Sequence, residues 1–174
     1  RQMCIRDRFK YYKNKQELFI AVVDKFWFST QNPRNKFTET NGTFAEFIDE
    51  YVRGVQRTMD MLGDLIGAER EKVAQGKFTY HAQYFHFLFQ LLQYDPDAKE
   101  KLRNLVDGDY AYWRAAIQHA IATGELREDV DVEDAVVMFR QVYMGLSFEM
   151  AFMGGLNTQR LAKHLHAVYS LLKR

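Results

Sequence analysis

Apolar residues along this chain recur at intervals of three and four, the period of an amphipathic helix, and show no strand-like alternation. Asn14, followed three residues later by Glu17, has the N-cap and N3 chemistry of a capping box. From there Leu18, Val22 and Phe26 fall on one stripe, with Phe19 and Val23 beside it, and Pro33 and the polar run 35–42 end the helix. Thr43 and Glu46 form a second capping box, and Phe44, Phe47, Ile48, Tyr51, Val52 and Val55 follow at helical spacing. Gly54, Gly63 and Gly67 each cost about 1 kcal/mol in a helix relative to Ala. A kink, a break or a close helix contact is therefore expected between Leu62 and Ala68, with Gly76 closing the segment.

Thr79 opens the most aromatic stretch, Tyr80 to Tyr94. Asp95-Pro96 predicts an N-cap followed by Pro at the first helical position, with the helix running to about Thr123 and Gly124 as its stop. Gly108 interrupts this helix without ending it. Asp131 caps the next one, and Glu133 and Asp134 place negative charge on its first turn, where the helix dipole favours it. Its apolar face is Ala135, Val136, Phe139, Val142, Tyr143, Leu146 and Met150, and Gly154-Gly155 ends it. Asn157 caps a last helix with a seam of Leu161, Leu165, Val168 and Leu172. The pattern predicts an all-α fold of long antiparallel helices joined by short turns.

Composition narrows the function classes. At 174 residues and 47% hydrophobic, the chain is long enough to bury a core without staples. A single cysteine, Cys4, excludes an internal disulfide framework and a cysteine zinc site, and a reducing cytoplasm is the simplest compartment. No apolar run approaches the roughly 18 residues that span a bilayer, so no membrane partner is expected. Net charge is +1, but residues 1–25 carry seven Lys/Arg against three acids, which leaves a mildly acidic remainder. A polyanion would meet the N-terminal end; chance clustering in a short segment is the alternative. Enzyme chemistry finds little purchase. No His has Glu three residues before it, and His164 and His166 cannot share a helix face. No Gly-rich phosphate loop or nucleophile elbow is present, and no cofactor is expected.

The run Phe9-Lys10-Tyr11-Tyr12-Lys13-Asn14-Lys15-Gln16-Glu17-Leu18-Phe19 resembles the end of the TetR-family DNA-binding domain. There an aromatic-rich recognition helix leads through a short turn into a Lys-(Glu/Gln)-x-Leu-(Phe/Leu) helix start. Less specific likenesses are Tyr84 to Phe89 ahead of Asp95-Pro96, and Gly124 to Asp129 before Asp131. The resemblance implies residues 1–13 as the remnant of a helix-turn-helix domain, 14–42 as a connecting helix and loop, and 43–174 as a ligand-binding and dimerising domain. Most of the family's helix-turn-helix has no counterpart here, so this chain alone is expected to bind no operator DNA selectively. Met3 to Arg8 resembles a translated sequencing-adapter sequence, and on that reading Arg6 and Arg8 carry no functional meaning.

The resemblance implies a cytoplasmic, homodimeric, ligand-responsive repressor that meets DNA through its intact parent protein and senses a small hydrophobic molecule. Tyr11 and Lys15 are the candidate phosphate contacts, because the first turn of a helix offers free N–H groups to an anion. Solvated side chains are the alternative at both. A sensor needs a cavity with apolar walls and a few polar groups. Gln83, Tyr84, Phe87, Trp113, Phe139 and Tyr143 are the expected lining, against the simpler reading that they fill a core. The expected dimer face is Phe148, Phe152, Leu161, Leu165, Val168 and Tyr169, against packing within one chain. A helical adaptor that binds a protein and no small molecule is the competing function.

Overall fold

The computed structural model describes residues 11–37, 42–65 and 80–174, with side chains for all of these except 64–65 and 80–83. The expectations at Phe9, Lys10, Gly67, Gly76 and Thr79, at the adapter-like residues, and at the side chain of Gln83 lie outside the described residues. Helices dominate, as the periodicity predicts: α1 (Lys15–Val22), a π-helical segment (Val23–Phe28), α2 (Ser29–Gln31), a 3-10 turn (Pro33–Asn35), α3 (Phe44–Leu65), α4 (Tyr80–Tyr94), α5 (Ala98–Ala122), α6 (Val132–Ala151) and α7 (Thr158–Leu172). Among the described residues there is no strand, only an isolated bridge between Leu126 and Lys173. No helix among them is long and apolar enough to cross a membrane.

The predicted caps form. Asn14 Oδ1 accepts from Glu17 N at 2.8 Å, and Glu17 Oε2 accepts from Lys13 N at 2.8 Å. Thr43 and Glu46 bond reciprocally, at 3.2 Å to Thr43 Oγ1 and 2.8 Å to Glu46 Oε2. Asp131 and Asn157 cap α6 and α7 through the N–H groups of Asp134 and Arg160, each at 2.9 Å. Gly124, Gly154 and Gly155 take φ of 75°, 127° and 103°, the left-handed turns that close α5 and α6. The Asp95-Pro96 expectation holds in its bonding: Asp95 Oδ1 accepts from Asp97 N at 3.0 Å and the Asp95 carbonyl accepts from Ala98 N at 3.1 Å, through a turn that leads into the regular helix at Ala98. Asp97, the residue before that helix, makes no side-chain cap bond, and the buried Asp95 also accepts from Lys101 Nζ at 2.9 Å.

α1, the π-helical segment and α2 run as one helical rod, since every junction residue keeps right-handed helical angles. Its inward stripe is Val23 and Trp27, both buried, with Phe19 half-buried; Val22 and Phe26, expected on the core side, are exposed. A strict spacing of four drifts round an α-helix. The wider i→i+5 turn of the π segment brings Trp27 back under Val23, onto Leu91 and Ala98. The rod is tied down by Gln16 Nε2 to Tyr94 O at 2.6 Å and by Asp24 Oδ1 to Lys101 Nζ at 2.7 Å.

The main core lies between α3, α5, α6 and α7. α3 is strongly amphipathic, and its buried face Phe44, Phe47, Ile48, Tyr51 and Val55 meets Trp113, Phe139, Leu161 and Leu165. α3 runs unbroken through Gly54 to Leu65. The described part of the stretch from Leu62, where a kink, break or close contact is expected, stays helical, and 66–68 lie outside the described residues. A close contact stands instead at Gly54, where a Cβ would be 2.5 Å from the Cα and 2.6 Å from the carbonyl carbon of Lys36. Glu125 ties the other end: its carboxylate accepts from Phe44 N at 2.8 Å, on the first turn of α3, and from the Tyr169 hydroxyl at 2.7 Å.

Candidate ligand site

Four elements leave a small cavity where they meet. Val55, Thr58, Met59 and Leu62 face it from α3, and Tyr84 and Phe85 from α4. Tyr143, Met144 and Ser147 face it from α6, and Gln31 closes it from the end of the rod. The helical period explains the grouping. Tyr51, Val55, Thr58 and Leu62 form one stripe on α3, and Arg140, Tyr143 or Met144, and Ser147 form another on α6. The free volume is about 30 Å³, room for about two waters. A drug-sized ligand needs a site roughly ten times larger, so the walls must part to admit one.

The two stripes carry polar groups toward one end. Asp109 on α5 is 3% exposed, and its Oδ2 lies 3.3 Å from Arg140 Nε and 3.7 Å from Lys36 Nζ. The Tyr143 ring stands beside both cations, 5.7 Å from Lys36 Nζ and 5.8 Å from the Arg140 guanidinium carbon. The Arg140 contact is not aligned as a hydrogen bond. Arg140 Nε and Nη1, Asp109 Oδ1, the Tyr51 hydroxyl and the Ser147 hydroxyl have no hydrogen-bond partner among the described residues. Burial, with the nearby Tyr143 hydroxyl adding to it, pushes the phenols of Tyr51 and Tyr84 well above their ordinary range, so both remain neutral donors.

Of the expected lining residues, Tyr84 and Tyr143 face the cavity. Trp113 and Phe139 do not. Both are fully buried and stack on each other with centroids 4.9 Å apart, as part of the solid core. Phe87 packs on the rod, 5.4 Å from Phe19 and 6.1 Å from Trp27 by ring centroids. Among the wall residues that sequence reasoning missed, Thr58 and Ser147 are polar groups on α3 and α6. Their sequence signal was a polar residue on an otherwise apolar stripe, which the aromatic stretch of α4 overshadowed.

The expected dimer residues divide. Leu161 and Leu165 are fully buried and Tyr169 is 9% exposed, all against α3 and α6 within the chain, so the α7 seam is corrected to an intrachain contact. The broad apolar face of α3 claims that seam before any second molecule can. Val168 is half-buried at the edge of the same core. Phe148, Phe152 and Met153 are exposed, as is Met138 about three turns earlier on the helix, and Gly145 lies on their stripe with nothing within 4 Å of its Cβ position. Tyr11 and Lys15 stand exposed at the start of the rod, Lys15 on its first turn. The chain matches no protein-family model, no curated protein and no solved structure, so the reading of the site rests on its own geometry.

Proposed function

We propose that this chain is the ligand-sensing and dimerising part of a TetR-type transcriptional repressor that works by binding and not by catalysis. The observation that carries the reading is the rod. One helix presents Lys15 at its exposed start and Gln31 on the cavity wall at its end. A ligand that enlarges the cavity displaces Gln31, and the displacement travels along the rod to the end where a DNA-binding unit would attach. The links Gln16–Tyr94 and Asp24–Lys101 favour the resting arrangement. The π segment, which holds Asp24 and leads on toward Gln31, is the natural hinge, because such turns are poorer helix geometry. The ligand shifts the balance only by its differential affinity for the two arrangements.

In this reading Lys15 and Tyr11 meet DNA phosphates and set register without reading bases. The partner in the homodimer is a second copy seated on the exposed α6 stripe of Met138, Phe148 and Phe152, where Gly145 permits close approach. The cell compartment is the cytoplasm.

The test combines sedimentation with thermal titration against a panel of small apolar compounds. The expected result is a dimer in which at least one compound stabilises the fold. At one hundred times its dissociation constant that compound contributes about 2.7 kcal/mol, or roughly 5–10 °C for a domain of this size. A second reading, a helical adaptor for another protein, is favoured by the narrowness of the cavity and the exposure of Phe152 and Met153. A monomer that no compound stabilises would leave the adaptor standing and the sensor refuted.

A further inference from the structure

The cavity has a charge imbalance at one end. Lys36, Arg140 and Asp109 are 5%, 9% and 3% exposed, so among the described residues two cations face one carboxylate away from water. Buried charges are ordinarily paired. Here two guanidinium nitrogens, Nε and Nη1, have no hydrogen-bond partner among the described residues, and the hydroxyls of Tyr51 and Ser147 are likewise unmatched. Ser147 lies on the cavity wall, Tyr51 is one turn from the wall residue Val55, and Arg140 is one turn from Tyr143 and Met144. Arg140 and Tyr51 therefore stand at the Tyr143 end of the cavity, 5.8 and 6.0 Å from its ring, while Ser147 lies two helical turns beyond Arg140 along α6. The wall beyond Tyr143 is largely apolar: Met59, Leu62, Phe85 and Met144. Both methionines are unbranched and flexible, the side chains best able to re-pack around an incoming molecule.

We infer, on the sensor reading above, that the ligand is a small apolar monocarboxylate, its carboxylate taken by Arg140 with the Tyr51 hydroxyl and its hydrocarbon body between α3, α4 and α6. A carboxylate balances the second cation and supplies acceptors for the orphaned donors at once. A neutral molecule satisfies the hydroxyl but leaves the charge. A cation adds to the imbalance. The tyrosines, held neutral by burial, serve as donors to an anion.

The probes are octanoate, octanamide, octylamine and acetate, and the pair 3-phenylpropanoate and 3-phenylpropanamide, titrated into the full chain by calorimetry. Each carboxylate of a pair is expected to bind at least about tenfold more tightly than its amide, since a hydrogen bond to a charged group is worth that much. Octanoate is also expected to exceed acetate, through its apolar body, and octylamine is expected not to bind. In Arg140→Met the carboxylate-to-amide ratio falls toward one while amide binding persists. Should that variant fail to fold, Tyr51→Phe removes the unmatched hydroxyl at nearly constant volume and narrows the ratio. Amides that bind as tightly as their acids overturn the carboxylate assignment and leave the sensor intact, as does an undiminished ratio in Tyr51→Phe. Acetate binding as tightly as octanoate reduces the site to one for a simple anion and overturns the assignment. No binding by any probe, together with no response to the wider panel, removes the sensor reading and this inference with it.

Discussion

Removing the carboxylate of Asp109 should damage this fold far more than removing the guanidinium of Arg140. Both cations lean on one oxygen, Asp109 Oδ2, at 3.3 and 3.7 Å. At an effective dielectric constant of about 20, each such attraction is worth roughly 4–5 kcal/mol before desolvation is counted. Asp109→Asn cancels both attractions and leaves two buried cations repelling each other. Breaking a buried ion pair in this way costs about 3–5 kcal/mol, a large part of a typical total stability of roughly 5–15 kcal/mol. At about 2–4 °C per kcal/mol, the melting temperature at pH 7 should fall by roughly 6–20 °C. Arg140→Met loses one attraction but also the desolvation of a surplus charge, and leaves Lys36 and Asp109 as a balanced pair. Its stability should lie within about 1 kcal/mol of the parent, in either direction. Circular dichroism melts of the two variants and the parent, repeated as urea titrations, measure both effects. If Arg140→Met cost as much as Asp109→Asn, the guanidinium would not be in excess and the charge argument would fail.

Gly54→Ala should destabilise by about 1–3 kcal/mol despite the better helix propensity of Ala, because the new methyl meets the Lys36 backbone and not a movable side chain; a lower urea midpoint at unchanged slope would report it. Burial and the bond to Glu125 raise the Tyr169 phenol to about 12 in the fold, against about 10 when unfolded. Its contribution to stability is therefore complete below pH 10 and is lost as pH climbs to 12. Tyr169→Phe should flatten that alkaline decline in a series of melts, and an unchanged slope would rule out Tyr169 as its source. Phe152→Glu places a charge at the most exposed ring of the proposed dimer face; it should sediment as a monomer with its helical spectrum intact, and a persisting dimer would relocate the interface.

Local chemistry made much of the architecture legible in the sequence. The capping pairs Asn14–Glu17 and Thr43–Glu46, the N-caps Asp131 and Asn157, and the stop at Gly124 depend on neighbours a few residues away, and each forms as the residues dictate. The all-α class follows from the same local period. What periodicity could not decide is which neighbour an apolar stripe meets. Leu161, Leu165 and Tyr169 make a seam that suits a second copy as well as α3, and the choice came from the breadth of the α3 face. Trp113 and Phe139 have the chemistry of cavity walls, yet they stack on each other because α5 and α6 bring them together. The polar cluster is the clearest case. Lys36, Asp109 and Arg140 lie far apart in the chain and each resembles a solvated surface charge. Three helices and a turn must converge, with Gly54 letting the Lys36 backbone close in, before they become one buried group with a cation to spare. Sequence alone determines what is settled within a helical turn or two, whereas net charge at a buried point is a sum over distant segments and exists only once they have packed.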